Sequence, residues 1–95
     1  MSPRPRKKRC CEGKLPGQAF KPNGIPLCEL KQITLGQDEL ETLRLCDFEG
    51  LFQKEAGVRM GISRGTVQRL LTSARKKTAE ALVSGSALVF VEEQR

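Results

Sequence analysis

Gln53–Thr72 reads QKEAGVRMGISRGTVQRLLT, and at helical period it makes two short helices joined by a tight turn. In the first, Ala56 and Met60 are four apart with Gly57 beside them, so the inward face is unusually small. Gly61 then stops the helix, because glycine alone takes a left-handed conformation without a Cβ penalty. Ile62 follows as an apolar plug. Ser63 is a good N-cap for a second helix, whose Val67, Leu70, Leu71 and Ala74 fall at i, i+3, i+4 and i+7. Helix, glycine turn and capped helix form the helix-turn-helix plan, in which the second helix lies in the DNA major groove.

Burying Val67, Leu70 and Leu71 leaves Arg64, Gly65, Thr66, Gln68, Arg69 and Thr72 facing solvent. Arg bridges O6 and N7 of guanine, Gln pairs with the adenine edge, and a Thr methyl touches a thymine methyl. Ser63, Arg64, Thr66, Gln68, Arg69 and Thr72 are therefore the candidate base readers. Gly65 lets the helix N-terminus come close to a backbone, and that terminus favours a phosphate. The plainer alternative is an amphipathic hairpin with a solvated basic face.

Working outward, the 95 residues suit one small domain, and 38% hydrophobic content supplies one modest core. The aromatics are Phe20, Phe48, Phe52 and Phe90, with no Trp or Tyr. That argues against RNA-recognition sheets and single-strand platforms, which stack bases on aromatic rings. The net charge of +6 is unevenly spread. Residues 1–22 carry seven basic and one acidic residue, 23–50 carry two and six, and 51–84 carry seven and two. A polyanion touching the two basic regions explains this asymmetry.

Residues 1–24 are rich in Pro, Gly, Lys and Arg, and read as a flexible or loosely docked basic arm; residues 25–95 read as the helix-turn-helix domain. Arg4, Arg6, Lys7, Lys8 and Arg9 in this arm are candidate phosphate contacts, as in arms that follow the minor groove; a solubilising tail is the alternative. Phe20 is expected to pin the end of the arm to the core, and Asn23-Gly24 signals a turn. Gln32–Leu35 reads as a short strand at the end of an ambiguous stretch, and 87–91 (ALVFV) as a clearer one. They are expected to pair as a small ribbon, or the second pairs with its copy in a dimer.

Thr34-Leu35-Gly36-Gln37 has capping-box spacing, with Asp38 and Glu39 in the first turn of a helix that runs to about Asp47. Leu40, Leu43 and Cys46 share one face of it, Leu45 and Phe48 extend the apolar surface, and Glu49-Gly50 breaks it. The second motif helix continues through Ala81 and Leu82 and ends near Gly85. Arg75, Lys76 and Lys77 on this extension are further phosphate candidates. The expected fold is mainly α: a helix-turn-helix domain of three to four helices with a short β ribbon.

The chain resembles a bacterial and archaeal family of small uncharacterised proteins predicted to bind DNA. Their helix-turn-helix is similar to region four of sigma factors. The matching stretches are RPRKKR, FKPNGIPL and TLGQDELETLRLCDFEGLFQKEAGVRMGISRGTVQRLLTSARKKTAEALVSGSAL, most of the chain in the family's order. The resemblance implies a helical, sigma region-four-like domain of the winged-helix superfamily kind and a role in transcriptional regulation. Carried over by position, it makes Ser63, Arg64, Thr66, Gln68 and Arg69 the recognition residues. Two positions depart from such motifs. Gly57 stands where Ala is usual, at an expected cost of roughly 1 kcal/mol in helix propensity. Gly65 replaces a common polar side chain, and either change is expected to loosen recognition.

Cys10, Cys11, Cys28 and Cys46 reach the number a tetrahedral zinc site needs, but no CxxC pair and no histidine assist them. Reduced, packed or incidental thiols are the expectation, with a metal or redox sensor the weaker alternative. The chain has no His, the usual general base near neutral pH, and no glycine-rich phosphate loop, so neither catalysis nor a cofactor is expected. No apolar run approaches the roughly 20 residues that span a membrane, and the basic start lacks a signal peptide's apolar region. With four cysteines, that points to a reducing cytoplasm. Double-stranded DNA is the expected partner, read by a monomer or a homodimer. The rival is a module that docks on RNA polymerase and hardly touches DNA.

Overall fold

A computed structural model describes residues 18–90 as a mainly helical fold with a small three-stranded sheet. In chain order it has β1 (Gln18–Phe20), a 3-10 turn (Leu27–Glu29), β2 (Gln32–Leu35), α1 (Gln37–Thr42), α2 (Gln53–Met60), α3 (Arg64–Ser84) and β3 (Ala87–Phe90). Between α1 and α2, Leu43–Phe48 continues α1 as a π-helix. Arg4, Arg6, Lys7, Lys8, Arg9, Cys10 and Cys11 lie outside the described residues.

The sheet order is β1-β3-β2, with β3 antiparallel to β1 and parallel to β2. Ile33 sits opposite Leu88 and Leu35 opposite Phe90. The two sequence-read strands therefore do pair, but side by side in one direction, because α1, α2 and α3 form the crossover between them. Ala87, Leu88 and Val89 are buried, as suits a central strand with an unbroken apolar run. Both edges of β3 are occupied within the chain, which closes the route by which this strand pairs with its copy. The sheet also takes in the last residues of the stretch read as an arm. Phe20 is held there by its strand and by an edge-on contact with Phe90, ring centroids 5.7 Å apart, while 68% of it stays exposed.

The helical core divides in two, and α3 belongs to both parts. Ile33, Leu35 and Leu88 of the sheet pack on Ala74 and Ala81 of α3, with Leu43 and Phe90 against them. Small side chains on α3 let the sheet come close. Leu45, Ala56 and Val67 form the second cluster, joined by Cys46, Leu51, Met60 and Ile62.

Gly36, not Thr34, is the N-cap of α1, and Thr34 belongs to β2. Glu39 Oε1 accepts from the Gly36 amide at 2.8 Å, supplying the side-chain half of the cap. The α1 face also departs from the 3.6-residue reading. Glu39, Thr42 and Leu45 are buried, whereas Leu40 is 39% and Phe48 83% exposed. In α1 Glu39 is turned inward by Ser73, Lys77 and the Gly36 amide, and after Leu43 the π-helix takes over. Its wider turns, seen in the Glu49 amide bonding to Arg44 O at 2.8 Å, rotate Leu45 inward and Phe48 outward.

Candidate nucleic-acid interface

The turn between α2 and α3 is tight, and two glycines make it so. Gly61 caps α2 at φ +73°, in the left-handed region. The Ile62 amide donates to Gly57 O at 3.0 Å, folding the chain back onto α2. A Cβ on Gly57 would stand 2.7 Å from the Ile62 carbonyl oxygen and 3.6 Å from the Arg64 nitrogen. Glycine at this position is therefore what lets α3 start so close to α2. The close approach gives glycine a structural reason at this position, to be set against the expected propensity penalty.

Ser63 caps α3: its Oγ accepts from the Thr66 amide at 3.1 Å and lies 2.9 Å from Thr66 Oγ1. Both hydroxyls are thus occupied in starting the helix, and Thr66 is half-buried. Val67 and Leu71 are buried and Leu70 half-buried, so Arg64, Gly65, Gln68, Arg69 and Thr72 remain on the open side of the first turns. Gly65 differs from Gly57, since nothing lies within 4 Å of where its Cβ would be. No packing among the described residues requires a glycine there.

The cations sort by position. Arg44 of the π-helix reaches Glu41 at 2.7 Å and Glu49 at 2.5 Å. Lys31 pairs with Glu80 at 3.0 Å, and Lys21 donates to Ile25 O at 2.7 Å. The structure also commits two of the sequence-read phosphate contacts elsewhere. Arg75 grips both oxygens of Asp47 at 2.7 and 3.0 Å, and Lys77 bridges Thr34 O at 2.9 Å and Glu39 Oε1 at 2.8 Å. Both bonds span many residues in sequence, which local spacing does not reveal. By contrast, Lys54, Arg59, Arg64, Arg69 and Lys76 have no carboxylate or carbonyl partner among the described residues. All of them stand on α2 and α3.

Glu39 is the buried hub beneath this surface. Burial pushes its carboxyl up, but hydrogen bonds from Lys77, Ser73 and the Gly36 amide, with the charge of Lys77, outweigh that and hold it below 4.5. Arg75 holds the Asp47 carboxyl below its ordinary value, mainly by its hydrogen bond. Next to it, burial and the charge of Asp47 push the Cys46 thiol up, against the thiolate a reactive or metal-binding cysteine needs. Cys28 is half-buried in the 3-10 turn, and no group of three or more metal-ligating side chains occurs among the described residues.

Residues 1–93 match a family of proteins of unknown function, DUF134. The chain belongs to this family. A UPF0251 protein of Shewanella sediminis is 52% identical over 93 residues, covering 98% of this chain and 97% of that protein. One of Vibrio parahaemolyticus is 47% identical over 91 residues, with 96% and 95% covered. A third, from Desulforudis audaxviator, is 56% identical over 69 residues, which are 73% of this chain but 45% of that protein. No solved structure matches the chain. None of the described DUF134 helices is long and apolar enough to cross a membrane.

Proposed function

We propose that this protein is a non-catalytic, cytoplasmic binder of duplex DNA and a transcriptional regulator, with α2 and α3 forming a sigma region-four-like helix-turn-helix. The observation that carries the reading is the segregation of unpartnered cations. Among the described residues, Arg64 and Arg69 in the first turns of α3 and Lys54 and Arg59 on α2 are left without counter-ions, while the cations outside this pair of helices are tied down. Unpaired cations on a helix pair joined by a tight turn suit a polyanion. The exposure of Arg64, Gln68, Arg69 and Thr72 supports their meeting base edges, and the open Gly65 supports a phosphate backbone approaching the α3 N-terminus.

The test is a titration against random duplex DNA at several salt concentrations, followed by selection of preferred sequences. A steep salt slope with an enriched motif supports base reading. A steep slope without enrichment reduces the protein to a basic surface on a polyanion. Absence of binding at low salt refutes the proposal. A second reading, docking on the transcription machinery, draws on Phe48 and Phe52, which are 83% and 77% exposed on either side of the α2 entrance. Recovery of polymerase subunits after nuclease treatment, lost in Phe48→Ser, would favour it.

A further inference from the structure

The C-terminal half of α3 is unlike its N-terminal half. At 3.6 residues per turn, Gly65, Gln68, Thr72, Lys76, Ala79 and Val83 follow one another along a single exposed stripe. Its beginning is polar and basic, and its end is apolar. Val83 is 87% exposed, Leu82 beside it 79%, and Ala79 is exposed one turn earlier. On the far side of the Leu82 ridge lies a cavity of about 420 Å³, lined by Phe20, Pro22, Thr78, Ala81, Leu82 and Leu88. The recess therefore lies round the helix from Ala79 and Val83, with Leu82 between them.

Charge completes the pattern. The last turn of α3 contains no basic residue to offset the negative end of its dipole. The Gly85 and Ser86 amides both go to Ala81 O, so the carbonyls of Leu82 and Val83 have no donor among the described residues. Lys76, two turns upstream on the same stripe, is a cation without a partner among the described residues.

We propose that a second copy of this chain covers this face, with the C-terminal halves of the two α3 helices antiparallel about a two-fold axis. Ala79 packs against Val83 of the partner subunit, and the small Ala79 side chain lets the axes come close. Lys76 reaches the open carbonyls at the end of the partner's α3. A parallel arrangement would set Lys76 against its own copy and the two negative helix ends side by side, so charge selects the antiparallel one. A two-fold contact needs a self-complementary patch, and an apolar stripe with a free cation towards one end and open carbonyls at the other is one. The pairing assigns Lys76 to the partner rather than to a phosphate.

The pairing does not depend on DNA, but it constrains how DNA would be read. Gln68 lies some 14 residues before Leu82, about 21 Å along the helix. Because Gln68 and Thr72 stand on the same stripe as Ala79 and Val83, the two reading surfaces point in opposite directions across the two-fold axis, and the pair does not lay both on one straight duplex.

Sedimentation equilibrium of the full chain under reducing conditions, without DNA, tests the pairing. The contact involves about two helical turns from each copy, so a dimer of the weak class is expected, forming at tens to hundreds of micromolar. Val83 is exposed in one copy, so Val83→Asp leaves the far-UV circular dichroism unchanged and raises the dimer dissociation constant at least about tenfold. Lys76→Glu weakens the dimer and Lys76→Arg preserves it. A wild-type chain monomeric to about 1 mM overturns the proposal and leaves the face to another partner. So does a dimer indifferent to Val83→Asp. Either failure leaves the DNA reading intact, because no DNA is present.

Discussion

Gly57→Ala sets two physical effects of opposite sign against each other. Helix propensity favours alanine over glycine by about 1 kcal/mol in the interior of α2. The structure opposes it, because the new Cβ would stand 2.7 Å from the Ile62 carbonyl oxygen. Normal contact requires a retreat of about 0.5 Å or more, and the obstacle is backbone in a close-packed turn, not the end of a flexible side chain. Overpacking of this kind costs roughly 1–3 kcal/mol, so after the propensity gain the expected net effect is a destabilisation of about 0–2 kcal/mol. In a domain of this size that lowers Tm by roughly 4–8 °C per kcal/mol. Urea denaturation followed by far-UV circular dichroism reads the difference as a lower midpoint with an unchanged slope. If the variant is instead more stable by about 1 kcal/mol, propensity alone governs the position and the close-approach argument is wrong.

Gly65→Ala provides the opposite case: with nothing near its Cβ, it should gain up to about 1 kcal/mol in stability while weakening DNA binding, as read by melting and titration together. Arg69→Ala should weaken binding to a selected site by about 1–3 kcal/mol and relax preference at one base position; equal losses on selected and random DNA would show that Arg69 only touches phosphate. Glu39→Gln removes a carboxylate whose folded pKa lies below 4.5. The stability it supplies is fully present above pH 4.5 and lost as the pH falls through the lower folded value. The variant should therefore be less stable than wild type at neutral pH, by roughly 1–3 kcal/mol, with the gap narrowing in acid-unfolding curves below that point.

The sequence carried those parts of the fold that are set by near neighbours. Val67, Leu71 and Ala74 announced α3, Ser63 and Gly61 its start and the turn before it, and the β-branched runs at 32–35 and 87–90 the paired strands. What it concealed depends on residues far apart or on an altered period. Gln18-Ala19-Phe20 is too short for an alternation to appear, and is a strand only because β3 lies alongside. The π-helix breaks the 3.6-residue rule after Leu43, so Leu45 looked peripheral, and Leu40 looked inward because the partners that turn Glu39 inward, Ser73 and Lys77, are remote in sequence. Arg75 and Lys77 looked like free cations because Asp47 and Glu39 are remote in sequence. Gly57 illustrates the same limit: as a letter it weakens a helix, and only the position of the Ile62 carbonyl shows why it is needed. For the candidate site, exposure of Arg64, Gln68, Arg69 and Thr72 followed directly from burying Val67 and Leu71, whereas which cations stay unpaired needed the whole fold.

β3 sits between strands that precede it by more than fifty residues in the case of β2, and by nearly seventy for β1. During synthesis, β1 and β2 emerge early and have nothing to pair with until Ala87–Phe90 follows. The α2–α3 unit meets no such delay, since its contacts are local and its second cluster, Leu45, Ala56 and Val67, is complete before the sheet can close. Contacts that join distant segments form late, because loop-closure entropy must be overcome first. Assembly should therefore run from the helical pair to the sheet, with β3 the final piece locking Gln18–Phe20 and Gln32–Leu35 in place.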